Sequence, residues 1–483
     1  MRNILISGFN DQYLHEVINE VSKKFKVYKS IYSRNSVYSE ENDAIVEDIC
    51  RPDILLKNHP EILDRNASFE SSPWYKDSLQ NFLGTIDRVF VEPVSYNQLL
   101  DYYSLLLSFW SRYLDKHSIN ALFFQSTPHF PWDIALFFAA KHSKVKTFIL
   151  RRTLIPNCLV FDKGFNHETQ DFFTFDESFE GSFDSNQILK NYGSESSWIN
   201  YSQNILDECL TRRENRLGFV NFKKLIYGPI FLFKEIFGSK KTYFQLSKMR
   251  YLSFIIRRFY QQKKLNRFWE SISTDLPKSS KFAYFPLHFQ PERSTDPECG
   301  YFSKQLNAIK LLLEILPRDW SVVVKEHPRQ NMPEYPNLRR LHYRDINFYK
   351  RLQNIDRCIL ISTKVDSKEA LLKCSLAASC TGSILWESLI IGKPSISFGT
   401  HWHSSCKSSP HISELIANNL QFENLLKKDK EEIRKDILIF LQKNQNSFIF
   451  ASNSEQFLDK KISRDLNIRN LSQSIIHISQ TCF

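Results

Sequence analysis

The chain has 483 residues, 42% of them hydrophobic, and a formal net charge of +11. This length predicts at least two domains, and the composition is that of a globular protein, which argues against a disordered or fibrous chain. The nine cysteines are scattered and contain no CxxC pair, so they indicate neither a disulfide framework nor a zinc cluster. No apolar run has the length of a membrane span or a secretion leader, and we therefore expect a cytoplasmic protein with reduced thiols.

The first part of the chain alternates short apolar strands with helical patterns, which is typical of βαβ units. Strands are predicted at 4–7, 88–91, 121–124 and 146–150. Helices are predicted at 11–25, 96–116 and 134–141. We expect this first, Rossmann-like domain to span residues 1–210.

A strongly basic stretch follows, which we assign to residues 211–275. Between Arg212 and Arg267 the sequence contains fifteen basic residues and only two acidic ones. Cations interleaved with bulky apolar groups are typical of a segment that lies on an anionic membrane surface. They are equally typical of amphipathic helices between two domains. No DNA- or RNA-binding motif accompanies the charge, so we expect no nucleic-acid partner.

A second series of strands and helices begins near residue 281. Strands are predicted at 281–286, 322–324, 357–362, 376–379 and 395–399. Helices are predicted at 301–316, 347–353, 364–373 and 384–391. We assign this second domain to residues 276–425 and a polar, helical tail to residues 426–483.

The most informative motif is the apolar run 322–324 that ends in Lys325, Glu326, His327 and Pro328. An unbroken β-branched run predicts a buried strand, and open α/β sheets bind ligands at the carboxyl ends of their strands. At that position Lys325 can supply positive charge to a departing phosphate, and His327 can donate a hydrogen bond to it. Arg329 can bind the same phosphate through two hydrogen bonds. A histidine there can also simply cap a loop.

A second motif places Thr381, Gly382 and Ser383 directly before the predicted helix 384–391. The free backbone N–H groups and the positive end of the helix dipole favour a phosphate at such a position. Glu387 lies one turn further and could bind a ribose diol. Alternatively, the hydroxyls cap the helix and the carboxylate complements its dipole.

Together these motifs resemble the carboxyl-terminal half of bacterial capsular polysaccharide biosynthesis proteins of the GT-B glycosyltransferase type, including the Kdo transferases, and more distantly the bacterial sialyltransferases. The resemblance is strongest over 282–399, and in the first half it rests on 127–133 and 151–157. It implies an α/β fold of the GT-B type, with two Rossmann-like domains facing a central cleft. The basic amphipathic segment would lie between them.

The resemblance also implies the substrates. Such enzymes use CMP-activated acidic sugars and hold the CMP through a Lys-x-His-Pro motif and a later Ser/Thr-rich turn. This assigns Lys325, His327 and Pro328 to the first motif, and Thr381 and Ser383 to the second. The implied activity is transfer of Kdo, or a related nonulosonate, from a CMP-sugar to a surface polysaccharide or glycolipid. With the basic segment, it implies a peripheral position on the anionic inner face of the cytoplasmic membrane.

The catalytic residue is expected in the first domain, because GT-B enzymes bind the donor mainly on the second. Asp133 and His129 are the best placed, and they would share one face if the following helix begins early. Asp133 could deprotonate an acceptor hydroxyl or attack the anomeric carbon, or it could merely cap the helix. In the second domain, His288 and Glu292 follow a predicted strand, and we expect them to complete the donor site.

Two alternatives to this activity remain at the level of the sequence. One is a CDP-glycerol-type polyol-phosphate transferase, and the other is a capsule assembly or export factor without catalysis. His401, His403 and Cys406 suggest a metal site, but this ligand set is incomplete. GT-B enzymes do not generally need a metal, so we expect no metal and no cofactor apart from the CMP-sugar donor substrate.

Overall fold

The computed structural model describes residues 2–8, 12–31, 43–63, 67–86, 88–89, 94–155, 157–164, 171–176, 248–279, 281–330, 343–417, 419–452 and 463–482. The strands in these residues are β1 Asn3–Ser7, β2 Lys26–Ile31, β3 Ala44–Ile45, β4 Ile119–Phe124, β5 Lys146–Arg152, β6 Cys158–Asp162, β7 Phe282–Pro286, β8 Ser321–Lys325, β9 Cys358–Ile361, β10 Leu376–Ser379, β11 Ser395–Ser397 and β12 Ile449–Phe450.

The helices are α1 Gln12–Ser22, α2 Val46–Ile49, α3 Pro52–Asn58, α4 Ala67–Glu70, α5 Tyr75–Ile86, α6 Tyr96–Lys116, α7 Pro131–His142, α8 Lys248–Ile272, α9 Gln305–Ile315, α10 Ile346–Gln353, α11 Ser367–Lys373, α12 Ile384–Ile390, α13 Ile412–Ala417, α14 Asn419–Lys427, α15 Lys430–Lys443 and α16 Arg464–Thr481. Short 3₁₀ turns occur at Pro60–Leu63, Gly300–Ser303 and Gln445–Ser447.

The first sheet has the strand order β12-β6-β5-β4-β1-β2-β3. All its pairings are parallel except those of β6, which is antiparallel to both β5 and β12. Helices cover both of its faces, as the continuous apolar sequence of β1 requires. Ile4 and Ile6 pack in one core with α1 and α16, whereas Leu5 packs in the opposite core with α6 and α7. The polar residues after the parallel strands therefore collect at one edge.

The second sheet has the order β11-β10-β7-β8-β9 and is parallel throughout. Its strand β8, which lies between β7 and β9, is the predicted valine run. Val322 and Val324 face one core, and Val323 faces the other. All three side chains are fully buried. This fixes the carboxyl end of β8, with Lys325, between the ends of β7 and β9.

These two sheets with their helices are two Rossmann-like domains, which confirms the predicted fold class. Part of the tail packs on the first domain, because β12 pairs with β6 and α16 packs against α1. The predicted strand at 88–91 is wrong where the structure describes it, because Arg88 and Val89 form a turn. The Arg88 side chain donates there to the backbone oxygens of His129 and Asp296.

The basic segment is described only from Lys248 onwards, and residues 211–247 lie outside the described residues. Its described part is helix α8, whose Leu265 and Trp269 are buried in the core of the second domain. Lys263, Lys264 and Arg267 are exposed on the same helix. This end of the segment thus packs as an amphipathic helix on the second domain. None of the helices in the described ranges is long and apolar enough to cross a membrane.

Candidate functional site

A cavity of about 310 Å³ opens at the carboxyl end of β8, and we call it the Lys325 cavity. The structure brings five of the predicted site residues together in its wall, namely Glu292, Lys325, His327, Pro328 and Arg329. The sequence analysis did not assign the other wall residues, which include Tyr284, Glu326, Ser367 and Ile384. The cavity lies where parallel α/β sheets bind their ligands.

Lys325 is only 4% exposed, and its ammonium group faces the loop before α11. Nζ donates to the backbone oxygen of Val365 at 2.5 Å and to Oγ of Ser367 at 2.9 Å. A buried ammonium group needs such acceptors. Lys325 therefore places a positive charge at the cavity and fixes the position of Val365 and of Ser367, the first residue of α11.

Glu326 fixes the position of the His327 loop through hydrogen bonds. Its carboxylate is buried and accepts hydrogen bonds from Arg344 Nε, from the Tyr349 hydroxyl and from the backbone N–H of His327, each at 2.7 Å. Arg344 is 2% exposed and also donates to Gln290 Oε1 and to the backbone oxygen of His288. This charged network fixes the loop because an unpaired charge at such depth would be costly.

His288 is turned away from solvent and into the protein. Its Nδ1 lies 3.2 Å from Ser294 Oγ and its Nε2 lies 2.8 Å from Ser379 Oγ. Burial lowers the pKa of His288 to about 4, so the ring is neutral at pH 7. With both ring nitrogens bound to protein, this histidine supports the neighbouring turn, and its direct contact with a donor stays a prediction.

The Thr381 turn packs tightly against this histidine. Thr381 Oγ1 donates to the backbone oxygen of Ser294 at 2.8 Å. A Cβ added at Gly382 would lie 2.7 Å from Ser379 Oγ and 3.3 Å from His288 Nε2. Only glycine allows the backbone to approach this closely.

Ser383 precedes α12 without capping it through its side chain. Ile384, the first residue of α12, reaches the Lys325 cavity, whereas Glu387 is buried further along the helix. The Thr381 turn and the Lys-Glu-His-Pro loop therefore lie beside one another. A contact of Thr381, Gly382, Ser383 or Glu387 with a ligand remains a prediction.

A second cavity, of about 250 Å³, opens at the carboxyl ends of β1, β2 and β4, and we call it the Asp133 cavity. Both predicted catalytic residues, His129 and Asp133, line it. Helix α7 begins at Pro131, so Asp133 lies inside the first turn and is not the amino-terminal cap, while His129 precedes the helix. The two side chains meet at one cavity without sharing a helical face.

The Asp133 carboxyl group has an unusual environment. Burial raises its pKa to about 7, although hydrogen bonds with Ser7 and with the backbone of Phe130 oppose the shift. The contact with Ser7 Oγ is long, at 3.5 Å. A carboxyl group that titrates near neutral pH can accept a proton from a substrate hydroxyl in the working range of an enzyme.

His129 is a weaker base than Asp133. Burial, followed by the nearby charge of Arg88, lowers the pKa of His129 to about 4. Its Nδ1 lies 2.8 Å from the backbone oxygen of Thr127, and since a carbonyl oxygen only accepts, Nδ1 carries the proton and Nε2 is an acceptor. Asp133 is therefore the better candidate for proton transfer.

Buried polar contacts join the two domains between these cavities. Arg88 donates to the backbone oxygen of His129 at 2.6 Å and also to that of Asp296. Glu298 accepts from Thr127 Oγ1 at 2.6 Å and from Arg151 Nη1 at 3.3 Å. The sequence analysis missed these roles, although Thr127 and Arg151 lie in the two matched stretches of the first domain.

His401, His403 and Cys406 are buried beside Trp386 and Trp402, with the two histidine rings 3.9 Å apart between centroids. Burial lowers the pKa of His403 to about 3. Within the ranges that the structure describes, no group of three or more His, Cys, Asp or Glu residues could hold a metal ion. These residues belong to a packed aromatic cluster with α15.

Comparison with known proteins returns solved structures only. No family model and no curated protein sequence matches the chain. The structures include the beta Kdo 2,7 transferase of Thermosulfurimonas dismutans KpsC, with 12% identity, 84% of this chain and 97% of that chain covered, and a TM-score of 0.31. The beta Kdo 2,4 transferase of the same protein has 9% identity, covers 67% of this chain and 80% of that chain, and has a TM-score of 0.28.

A UDP-GlcNAc 2-epimerase from Neisseria meningitidis, bound to UDP-GlcNAc, is also similar, with 13% identity, 92% of this chain and all of that chain covered, and a TM-score of 0.22. Kdo transferases, which the sequence motifs resemble, are thus among the solved structures that are similar to this chain. Because the identities and TM-scores are this low, the function has to be argued from the cavities of this chain.

Proposed function

We propose that this protein is a glycosyltransferase that moves an acidic keto-sugar, Kdo or a related nonulosonate, from a CMP-sugar to a surface polysaccharide or glycolipid. The observation that carries the proposal is the pairing of two unlike cavities on two joined domains. The Lys325 cavity offers Lys325, His327 and Arg329 at a strand end, and the Asp133 cavity offers a carboxyl group that titrates near neutrality.

In the proposed reaction, the Lys325 cavity binds the CMP moiety. Departure of CMP breaks the bond between the anomeric carbon and the phosphate oxygen, which keeps the electron pair. Lys325, His327 and Arg329 would stabilise the negative charge that develops on this phosphate. The same residues favour a phosphate over an uncharged leaving group.

Asp133 has two possible roles in this scheme. As a base it takes the proton of the acceptor hydroxyl, whose oxygen forms the new bond to the anomeric carbon, and the configuration inverts. As a nucleophile it bonds to the anomeric carbon while CMP leaves. The acceptor oxygen then displaces the carboxylate and releases its proton to solvent, with net retention. The anomeric configuration of the product distinguishes the two roles.

The test is a thermal-shift titration of the full chain with CMP, CDP, UDP and GDP. We expect selective stabilisation by CMP, because a ligand that binds only the folded state raises its melting temperature, and we expect the His327→Ala variant to lose it. Selective stabilisation by CDP would favour the polyol-phosphate transferase. Stabilisation by UDP or GDP alone would reject the CMP-sugar donor, and the absence of any response would favour an assembly factor.

We propose in addition that the protein works at the anionic inner face of the cytoplasmic membrane. The basic, aromatic sequence of 211–247 and the exposed Lys263, Lys264 and Arg267 of α8 support this. Each such cation can add about 1 kcal/mol of attraction near an anionic bilayer. Sedimentation with vesicles of phosphatidylcholine, with and without phosphatidylglycerol, tests it: binding independent of the anionic lipid would contradict the proposal.

A further inference from the structure

The Asp133 cavity has a wall of hydroxyl and amide groups that the sequence analysis did not assign. Ser7 ends β1 and lies in register with Ser30 of β2 on one side and with Phe124 of β4 on the other. Both serines line the cavity, together with Gln125 and Ser126 from the loop after β4. Neutral hydrogen-bonding groups therefore converge from three elements.

Ser30 provides an independent sign that the cavity receives a polar ligand. Ser30 is 4% exposed, and its Oγ has no hydrogen-bond partner among the described residues. Buried hydroxyl groups in proteins are nearly always bonded. A ligand hydroxyl in the cavity would supply the partner that the described protein groups do not.

The charge of the cavity selects among polar ligands. Of the described residues in its wall, Asp133 is the acid, and no lysine or arginine is present. His129 is neutral at pH 7, and Arg88 nearby donates to backbone oxygens of His129 and Asp296. A second carboxylate or a phosphate would have to lie beside Asp133 without a lysine or arginine in the described part of the wall, which is unfavourable in a buried place.

The volume of the cavity is large enough for one sugar ring. Its volume of about 250 Å³ equals roughly eight liquid-water volumes, enough for a single monosaccharide. Phe130 and Trp132 form an apolar side of it, with their rings nearly parallel and their centroids 5.1 Å apart. An apolar wall combined with a few placed polar groups is the usual design of a small-molecule site.

We infer that the Asp133 cavity binds the terminal ring of the acceptor, and that this ring is an uncharged, hydroxyl-rich sugar. The inference rests on the proposed glycosyltransferase function and deepens it by naming the acceptor class. Ser30 and Ser7 bind ring hydroxyls, and one further hydroxyl faces the Asp133 carboxylate. In this scheme only the donor carries an acidic sugar. Lys325 and Arg329 bind that donor on the other domain.

The test is saturation-transfer NMR on the full chain with paired methyl glycosides that differ only in a carboxylate. The pairs are methyl β-glucoside with methyl β-glucuronide, and methyl β-galactoside with methyl β-galacturonide, and methyl α-mannoside is added as a third neutral ring. We expect a neutral glycoside to bind and its uronide to bind at least about tenfold more weakly, since the described wall offers no lysine or arginine to a second carboxylate. Equal or stronger binding of the uronides, or no binding of any neutral glycoside, would overturn the inference.

Two variants locate the binding. Ser30→Leu fills the cavity, and Ser126→Leu blocks it from a half-buried loop position that tolerates a larger side chain more easily. Each should abolish the glycoside signal and retain the thermal response to CMP, which also reports that the variant is folded. If Ser30→Leu does not fold, the test rests on Ser126→Leu. A glycoside signal that persists in a folded variant would reject the cavity as the binding site.

The matched control is His327→Ala, which should lose the CMP response and keep the glycoside signal. The two proposals therefore fail separately. Glycoside binding without any nucleotide response in the wild type would reject the CMP-sugar donor and retain the sugar site. A CMP response without glycoside binding would retain the CMP-sugar donor and reject the sugar site.

Discussion

Thr127 Oγ1 lies 2.6 Å from Glu298 Oε1, and this buried hydrogen bond joins the two domains. Glu298 also accepts from Arg151 of the first domain, at 3.3 Å, and pairs with Arg293 of the second, at 3.2 Å. Burial raises the pKa of Glu298, but Arg293, Arg151 and the Thr127 hydroxyl outweigh burial, so that the net shift is downward. The carboxylate is thus charged and binds both halves of the cleft together.

We expect the Glu298→Ala substitution to destabilise the protein by about 3–5 kcal/mol, because it leaves the buried guanidinium of Arg151 without one of its partners. Urea unfolding followed by tryptophan fluorescence measures the loss. The control is Glu314→Ala, at an exposed position of α9, where we expect a change within about 0.5 kcal/mol. Equal effects of the two substitutions would show that the Glu298 contacts do not hold the domains together.

The raised pKa of Asp133 predicts how activity depends on pH. Because proton acceptance or nucleophilic attack needs the carboxylate, CMP release from CMP-Kdo should rise with pH through about 7. Asp133→Asn should lower the rate at least about 100-fold and remove this rising limb. A variant with an unchanged profile would exclude Asp133 as the titrating group.

The same pKa predicts a stability effect with a definite sign. The folded-state pKa of Asp133, about 7, is above its ordinary value of 3.8, so the folded state favours the protonated form. The stability that this form contributes is complete below about pH 4 and is lost as the pH rises through 7. Asp133→Asn should therefore gain stability relative to the wild type between pH 4 and 8. The exposed Asp77→Asn control should show no such trend.

The close packing of the Thr381 turn predicts opposite outcomes for two glycines. In Gly382→Ala the new Cβ would displace Ser379 Oγ from its bond with His288, so we expect a loss of about 1–3 kcal/mol in stability and a weaker thermal response to CMP. In Gly164→Ala the nearest atom is the flexible end of Lys141, at 3.7 Å, and we expect neither change. A normal CMP response in Gly382→Ala would separate this turn from the nucleotide site.

The elements that could be predicted from the sequence are those whose pattern is local. The valine run of β8 and the polar residues that end it were sufficient to place Lys325 at the edge of a sheet. By contrast, β2 contains Lys29, which is buried because Asp43, from a later loop, pairs with it at 3.5 Å. The two-residue strand β12 is too short to show a period. Both strands depend on partners that no local window contains.

The candidate site divides in the same way. Motif residues such as His327 could be found because strand-end position and chemistry coincide in one short stretch. Arg344 and Glu298 could not, since their roles arise from contacts with residues 18 and 171 positions away in the chain. Ser30 is an ordinary serine in the sequence, and only its register with Ser7 places it at the Asp133 cavity.

Lys325 Nζ donates to both Val365 and Ser367. Substitutions at Lys325 and Ser367 can therefore distinguish the charge of the ammonium group from its structural role. Lys325→Met leaves the backbone oxygen of Val365 without this donor and removes the charge from the cavity, so we expect a loss of about 1–3 kcal/mol in stability together with the loss of CMP stabilisation. Ser367→Ala removes only the 2.9 Å contact, and the ammonium group stays available to a phosphate, so CMP stabilisation should persist. Lys364→Met, an exposed lysine on the same loop, controls for general electrostatic attraction and should behave as the wild type. If Lys325→Met still responds to CMP, the ammonium group serves the loop alone and the phosphate is bound by other residues.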